Sequence, residues 1–245
     1  MSKILSGLFL LYAALIFIIL MIIALPCVLI VTTAFNPVTG KRIGLTILRC
    51  WAWAFSILSC FFVRTENASL IDTSKAHIYV SNHGSYLDAV AVCISVPQSF
   101  SALGKVEMAK TPIFGWIYER MVIMINRSSK ESRDQSVITL KKEIASGQSI
   151  LIFPEGTMNK TEQALSEFYD GAFRIAIETG TSIQPFVIQN NRNLLPRINP
   201  LSAKPGLMKT IFLPKVEVKG YTLSEIEVLK KTVHMMMEDA LKFRE

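Results

Sequence analysis

A long apolar stretch without charge is the feature that most limits what this chain can fold into. No charged residue occurs between Lys3 and Lys41, and residues 4–35 are almost entirely Leu, Ile, Phe, Ala and Val. As a helix this stretch would be about 48 Å long, whereas the hydrocarbon core of a bilayer is about 30 Å thick. A signal peptide would have a shorter apolar run and a cleavage site of small residues, but this run continues through Pro26. The stretch therefore predicts a membrane anchor.

A second apolar stretch, residues 43–63, follows a polar turn that contains Lys41 and Arg42. Arg49 interrupts it, and its uncharged part of 14 residues is typical of a re-entrant or interfacial segment. The arginine and the neighbouring tryptophans predict a position at the depth of the lipid headgroups. Residues 1–65 are thus expected to form an anchoring helical hairpin with two alternative topologies. A full span would put Lys41 and Arg42 across the membrane, and a hairpin that enters one leaflet would keep them on the cytoplasmic face.

Charge and composition indicate a membrane surface as a partner. Hydrophobic residues make up 51% of the chain and charged residues 18%, which excludes a disordered chain. Residues 1–70 carry five basic residues and one acidic residue, and so contribute +4 of the net charge of +7. This excess suits anionic headgroups. No nucleic-acid-binding signature occurs, and the four cysteines form no CxxC pair, which argues against disulfides or structural zinc.

Residues 66–245 are expected to form a single α/β domain. Short β-branched runs alternate with amphipathic stretches, a pattern typical of a mixed, mostly parallel sheet flanked by helices. The predicted strands are residues 77–81, 100–103, 122–125, 149–153, 183–188 and 215–218. The predicted helices are residues 131–146, 171–178 and 223–243.

The first candidate site follows the strand predicted at residues 77–81. His83 and Gly84 come directly after this strand, and Asp88 lies at the expected start of a helix. The two charged side chains can meet only if His83 lies in the turn before that helix, because on one straight helix they would point about 140° apart. A carboxylate that accepts a hydrogen bond from one imidazole nitrogen leaves the other nitrogen free as a base. The alternative is a polar turn residue followed by a charge at a helix start.

The second candidate site is Phe153-Pro154-Glu155-Gly156-Thr157, at the end of another predicted strand. Proline and glycine on either side of a glutamate are typical of a turn that presents one carboxylate and free backbone N–H groups to a cleft. Many turns have such a sequence, so this segment predicts a function only together with the first site.

Five segments carry a more specific signal. They are Asn82-His83-x4-Asp88, Lys105-Val106-Glu107-Met108, Ile125-Asn126-Arg127, Phe153-Pro154-Glu155-Gly156-Thr157, and Pro185 after a β run. In order and spacing they resemble the four motif blocks of the glycerolipid acyltransferases, most closely those of the bacterial 1-acyl-sn-glycerol-3-phosphate (lysophosphatidic acid) acyltransferases. The resemblance covers about residues 77–190, and the apolar N-terminal pair resembles the membrane-associated helices of that subgroup.

The resemblance implies direct transfer of a fatty acyl group from acyl-CoA or acyl-carrier protein to the free hydroxyl of a lysophospholipid. It implies no acyl-enzyme, no metal and no cofactor, with His83 as the general base and Asp88 orienting it. Contacts with substrate are implied for Asn82, Lys105, Arg127, Glu155, Gly156 and Thr157. Among these, Lys105 and Arg127 would bind a phosphate, and Glu155 would lie near the acceptor glycerol. The implied location is a bacterial inner membrane, with the catalytic domain on the cytoplasmic face.

Two positions depart from the family pattern. Met158 stands where the family usually has arginine, and Tyr169 stands where many members have lysine. Because such cations are natural partners of a phosphate monoester, three acceptors stay open: lysophosphatidic acid, a lysophospholipid with a larger headgroup, and a lyso-aminolipid. An inactive membrane lipid-binding protein is the alternative from another class, and the intact His83 and Asp88 argue against it.

Overall fold

The computed structural model describes residues 2–242. Two helices come first, α1 (Lys3–Ala34) and α2 (Pro37–Leu58). The strands that follow are β1 (Phe61–Glu66), β2 (Ile78–Ser81), β3 (Phe100–Lys105), β4 (Val122–Ile125), β5 (Ser149–Ile152), β6 (Ile183–Gln189) and β7 (Gly206–Phe212). The other helices are α3 (Asp88–Ser95), α4 (Phe114–Met121), α5 (Lys130–Ala145), α6 (Gly171–Thr179), α7 (Asn191–Leu194) and α8 (Ile226–Lys242).

The seven strands form one sheet in the order β1-β7-β6-β2-β5-β3-β4. All neighbouring strands are parallel except β6 and β7, so β1 and β7 run opposite to the other five. One apolar cluster packs helices α1 to α4 on one face of the sheet, and a second packs α5, α6 and α8 on the other. Both faces are therefore covered, as a mostly parallel sheet requires, and the predicted α/β class is confirmed.

The strand predictions hold for β2 to β6, with bounds that differ by at most two residues. The strand predicted at residues 215–218 is wrong, because only Val216 pairs there, in one bridge to Ile183. Pro214 has no N–H group, so the ladder between β6 and the chain after β7 is interrupted. Strands β1 and β7 were not predicted. The boundary expected at residue 65 falls within β1.

The three predicted helices correspond to α5, α6 and α8. The last of them was predicted over residues 223–243. Its first three residues form a 3₁₀ turn, Leu223–Glu225, whose N-terminus is closed by reciprocal hydrogen bonds between Thr222 and Glu225. Phe243 lies outside the described residues.

Helix α1 is the one helix among residues 2–242 that is long and apolar enough to cross a membrane. Most of its large side chains are exposed, including Ile4, Leu11 and Ile23. Its buried residues are Ser6, Ala13, Met21, Ala24 and Val28. A core helix of a soluble protein would be buried around much more of its circumference. The exposed apolar surface of α1 therefore suggests membrane association.

Helix α2 does not meet the same test, because it carries Lys41, Arg42 and Arg49. The ammonium group of Lys41 forms an ion pair with Glu143 of α5 and lies 3.5 Å from the hydroxyl of Ser101. This contact holds the start of α2 against the domain and contradicts the topology in which Lys41 crosses the membrane.

Arg49, which was expected at headgroup depth, has hydrogen-bond partners within the protein. Its guanidinium donates hydrogen bonds to the carbonyl oxygens of Cys93, at 3.1 Å, and Val96, at 2.7 Å. These carbonyls end helix α3, where the last turn leaves oxygens without partners and the helix dipole favours a cation. Arg49 therefore fastens α2 to α3 inside the protein.

Candidate active site

His83 and Asp88 form a hydrogen-bonded pair at the end of β2. The carboxylate oxygen Oδ2 of Asp88 lies 2.8 Å from Nδ1 of His83. Helix α3 begins at Asp88, so His83 lies in the turn before the helix, the arrangement that the spacing required. A carboxylate can only accept, which assigns the proton to Nδ1 and leaves the lone pair on Nε2. Nε2 has no hydrogen-bond partner within residues 2–242, and the His83 side chain is 22% exposed.

Asp88 is completely buried, and four groups donate to its carboxylate. Besides His83, the backbone N–H groups of Gly84 and Ser85 donate to Oδ2 at 2.8 and 3.0 Å. The side-chain amide of Asn191 donates to the other oxygen, Oδ1. Buried charges are tolerated when hydrogen bonds satisfy them. The donors therefore hold the carboxylate in one orientation and, through it, the imidazole ring.

The loop after β5 supports the loop of His83 from the other side. Because β2 and β5 are parallel neighbours, their carboxyl ends lie at the same edge of the sheet, where α/β proteins place their sites. The ring of Phe153 stacks on the imidazole with 4.2 Å between centroids and 17° between planes. The backbone N–H of Asn159 donates to the carbonyl of His83 at 2.7 Å. The ring thus has a packed face and an exposed edge.

Glu155 connects two loops through its carboxylate. One oxygen accepts from the backbone N–H of His83 at 2.7 Å, and the other accepts from that of Ser166 at 2.8 Å. The side chain is 3% exposed, and burial raises the pKa of Glu155 while these hydrogen bonds oppose the rise. Glu155 therefore positions His83 through the backbone. Its predicted contact with the acceptor remains a prediction.

Replacing Glu155 with Gln tests this connection. Glutamine has one donor group where the carboxylate has an acceptor, so either the N–H of His83 or that of Ser166 loses its partner. We expect the free energy of unfolding to fall by about 1–3 kcal/mol and acyl transfer to fall with it. Urea denaturation followed by circular dichroism measures the first effect. An unchanged midpoint and slope would contradict the role of the carboxylate.

Lys105, Thr157 and Arg127 lie together at the same edge of the sheet. The ammonium group of Lys105 is 3.3 Å from the hydroxyl of Thr157, and the guanidinium of Arg127 donates to the carbonyl of Gly156. Partial burial lowers the pKa of Lys105, and the positive charge of Arg127 lowers it further. Two cations that repel each other at a partly buried position form a site to which an anion would be attracted.

Gly156 adopts φ +70°, a conformation that favours glycine. A Cβ atom added there would lie 2.5 Å from the guanidinium of Arg127 and 2.8 Å from the ring of Tyr169. Tyr169, at one of the departures from the family pattern, therefore packs against the backbone of the Glu155 turn. Its hydroxyphenyl ring stands beside Arg127, at the position where the resemblance implied a lysine.

Asn82 is buried, and its amide pairs with the backbone of one residue. Its Nδ2 donates to the carbonyl of Ile188 at 3.0 Å, and its Oδ1 accepts from the N–H of Ile188 at 2.7 Å. The side chain thus extends the pairing of β2 with β6 beyond the last ladder residue. These hydrogen bonds join protein groups only, so the contact of Asn82 with substrate stays a prediction.

Two members of the site, Asn191 and Ser166, were not among the residues predicted from the sequence. Asn191 follows β6 within the polar run Asn190-Asn191-Arg192-Asn193, and a polar cluster at a strand end is a signal that could have identified it. Ser166 contributes only its backbone, which no sequence pattern reveals. Within residues 2–242, no group of three or more His, Cys, Asp and Glu side chains is arranged to hold a metal ion.

The sheet is mostly parallel, helices cover both of its faces, and a His–Asp pair lies at its carboxyl edge. This arrangement suits reactions in which a base removes a proton from the substrate. The family model described as acyltransferase matches residues 62–189, which is more than half of the 245 residues. The chain therefore belongs to the acyltransferase family.

Several curated relatives are named 1-acyl-sn-glycerol-3-phosphate acyltransferases. The chloroplastic protein of Arabidopsis thaliana is 30% identical over 181 residues, which cover 73% of this chain and 49% of the relative. The protein of Haemophilus influenzae is 29% identical over 163 residues, which cover 66% of each. The matches thus span about half the length of the plant relative and about two thirds of the bacterial one.

The chain is also similar to the crystal structure of a 1-acyl-sn-glycerophosphate acyltransferase from Thermotoga maritima. The two superpose with a TM-score of 0.82 over 100% of this chain and 99% of the other, at 22% sequence identity. At that identity the likeness shows a common fold.

Proposed function

We propose that this protein transfers a fatty acyl group from a thioester donor, acyl-CoA or acyl-carrier protein, to the free hydroxyl of lysophosphatidic acid. The observation that carries the proposal is the His83–Asp88 pair, whose free Nε2 stands at the open edge of the site. The names of the relatives support the acceptor. A base fixed in one tautomer is what an alcohol needs, because its own pKa is too high for it to ionise near neutral pH.

In the proposed reaction His83 acts first as a base and then as an acid. Nε2 takes the proton of the acceptor hydroxyl while the oxygen attacks the carbonyl carbon of the thioester. The new oxygen–carbon bond forms, the carbon–sulfur bond breaks as the intermediate collapses, and the thiolate receives the proton from Nε2. Asp88 stabilises the imidazolium between these steps. The transfer is direct, so no acyl-enzyme forms.

Asn191 is a positioning residue in this account. It donates to the carboxylate oxygen that does not bind His83, and it is itself 2% exposed. The Asp88 carboxylate therefore cannot rotate without breaking a buried hydrogen bond, which costs about 1–3 kcal/mol. Rotation would misalign the base, and small displacements of a catalytic group reduce rates strongly.

The acceptor phosphate is assigned to Lys105, Arg127 and Thr157. Only one carbon and one oxygen separate the phosphate of lysophosphatidic acid from the carbon that bears the reacting hydroxyl, so the phosphate must bind near His83. Lys105 and Arg127 meet this requirement because they surround the turn that also carries Glu155. Charge-assisted hydrogen bonds from such cations suit a phosphate monoester.

Membrane association of α1 fits a reaction whose acceptor and product are lipids. Its exposed apolar side chains are proposed to lie in the bilayer, with Lys3 and Arg42 near anionic headgroups. The contact of Lys41 with Glu143 supports a hairpin that stays on one side of the membrane. The cytoplasmic face of a bacterial inner membrane is the proposed location.

A panel of acceptors tests the proposed substrate. We expect purified protein with palmitoyl-CoA to have its highest kcat/KM with lysophosphatidic acid, compared with lysophosphatidylcholine and a lyso-aminolipid. A higher kcat/KM with either of the other acceptors would overturn the choice of lysophosphatidic acid and would favour an acceptor without a phosphate monoester.

The variant Met158→Arg introduces the arginine that the family pattern implies at this position. If lysophosphatidic acid is already the preferred acceptor, Lys105 and Arg127 supply the necessary charge, and the variant should change its KM by less than about threefold. Measurement of KM for each acceptor checks this, with Met235→Arg on the exposed side of α8 as the matched control. A switch of preference toward lysophosphatidic acid only in Met158→Arg would contradict the assignment of Lys105 and Arg127.

A further inference from the structure

A cavity of about 970 Å³ lies beside the loop of His83 and is not used by the acceptor site described above. Asn82 and Gly84, the two residues that flank His83, form part of its lining. The cavity extends from there across the ends of β6 and β7 to Lys204 and Lys209. Its size is at the upper end of the range for small-molecule sites, about 300–1,000 Å³.

The lining of this cavity is strongly cationic. Arg192, Arg197, Lys204 and Lys209 line it, whereas Glu162 is its one acidic residue within residues 2–242. None of these four cations forms an ion pair with a carboxylate in the part of the chain that is described. Unpaired cations attract an anion. The ligand that fits this cavity is therefore an anionic group rather than a lipid tail.

Arg192 is the best-fixed of the four cations. Its guanidinium donates to the carbonyl oxygens of Gln163 and Thr161, and its stem packs over Gly84. These contacts connect the cavity wall to the loop that also contacts His83. Among the described residues, the side chains of Lys204 and Lys209 have no such contacts, so both are free to turn toward a ligand.

Direct transfer requires donor and acceptor to be bound at the same time, and both carry phosphate. The acceptor phosphate is close to the reacting hydroxyl, and Lys105 and Arg127 are suited to bind it. The donor thioester is different, because the whole pantetheine arm separates its sulfur from the nearest phosphate. A second cationic site is therefore needed beyond the acceptor site. The cavity that begins at Asn82 and Gly84, on either side of His83, and extends to Lys204 and Lys209 supplies such a site.

We propose that this cavity binds the phosphopantetheine arm of the acyl donor, with Lys204 and Lys209 binding its phosphate. The arm would run along Gly84 so that its thioester reaches His83. This inference rests on the proposed function. Acyl-CoA and acyl-carrier protein share this phosphate, so the cavity can serve either donor.

The double variant Lys204→Gln/Lys209→Gln removes the two charges and keeps most of each side-chain stem. We expect its KM for palmitoyl-CoA and for palmitoyl-carrier protein to rise about tenfold, with kcat and the KM for lysophosphatidic acid within twofold of the wild type. Palmitoyl-pantetheine has the same thioester without phosphate, so its KM should not change. Lys231→Gln, an exposed lysine on α8, is the matched control.

Several outcomes would overturn this assignment. They are an unchanged KM for both phosphorylated donors, an equal rise with palmitoyl-pantetheine, or a rise confined to palmitoyl-CoA, which would indicate the adenosine phosphates instead. Calorimetric titration with free CoA separates this inference from the proposed function, because it needs no turnover. About tenfold weaker binding of CoA by the double variant supports the cavity even if no acceptor is acylated, and equal binding contradicts it.

Discussion

Replacing His83 with Ala should lower kcat for acyl transfer by about 10²–10⁴-fold, because the variant has no base for the acceptor hydroxyl. The loss should appear in kcat rather than in KM, since the phosphate contacts of both substrates are untouched. The side chain is partly exposed, but it stacks on Phe153 and donates to the buried carboxylate of Asp88. The thermal midpoint should therefore fall as well, and rates are compared at equal concentrations of folded protein. Initial rates of CoA release with lysophosphatidic acid measure the effect.

His234→Ala is the matched control for this variant. His234 is half-buried and also contacts a phenylalanine ring, Phe168, at 4.7 Å between centroids, but it lies on α8 away from the edge of the sheet where His83 is found. Its rate should stay within twofold of the wild type. A rate for His83→Ala that equals that of His234→Ala would contradict the assignment of the base.

Replacing Asn191 with Ala should lower kcat by about 10- to 100-fold while the KM values for donor and acceptor stay within twofold. The substitution leaves one oxygen of the buried Asp88 carboxylate without its donor, so the pair with His83 loses its fixed orientation. A structural defect alone would lower the fraction of active protein whether or not residue 88 carries a carboxylate. Asn199→Ala, an exposed asparagine in the following loop, is the control.

A double-mutant cycle isolates the coupling. In an Asp88→Asn background there is no carboxylate for Asn191 to orient, so Asn191→Ala should lower kcat by less than about threefold more. Independent, multiplicative effects of the two substitutions would show that Asn191 acts on activity by a route that does not include Asp88.

The sequence predicted the central strands well for a physical reason. β2, β5 and β6 are buried on both faces, so each is a short apolar run between polar turns, and such runs are easy to recognise. β1 and β7 pair with each other at one side of the sheet and include charged residues such as Arg64 and Lys209. β1 also continues the apolar stretch of α2, which concealed the change from helix to strand.

The candidate site was predictable where it depends on local spacing. The interval from His83 to Asp88 allows a hydrogen bond only with a turn before a helix, and that turn is present. The contact of Asp88 with Asn191 joins residues 103 positions apart, which only the pairing of β2 with β6 brings together. The substrate contacts of Lys105, Arg127 and Thr157 remain predictions, although these residues do lie together.

In the membrane segment, the sequence alone did not identify the partners of the charged residues. Arg49 was expected at the depth of the lipid headgroups and Lys41 in a polar turn between two apolar stretches, and both bind partners within the protein. Their partners, Glu143 and the end of α3, are 44 or more residues away. A charged residue in such a region therefore indicates a polar partner, which can equally be lipid or protein.

The measurement that tests the central claim most directly is a quenched time course of purified protein with palmitoyl-CoA and lysophosphatidic acid. Mass spectrometry would follow the lipid product, the released CoA and the intact protein in each sample. We predict one phosphatidic acid for each CoA released and no increase in the mass of the protein, as direct transfer by His83 and Asp88 requires. CoA release without phosphatidic acid, or a protein mass raised by one palmitoyl group, would contradict the account.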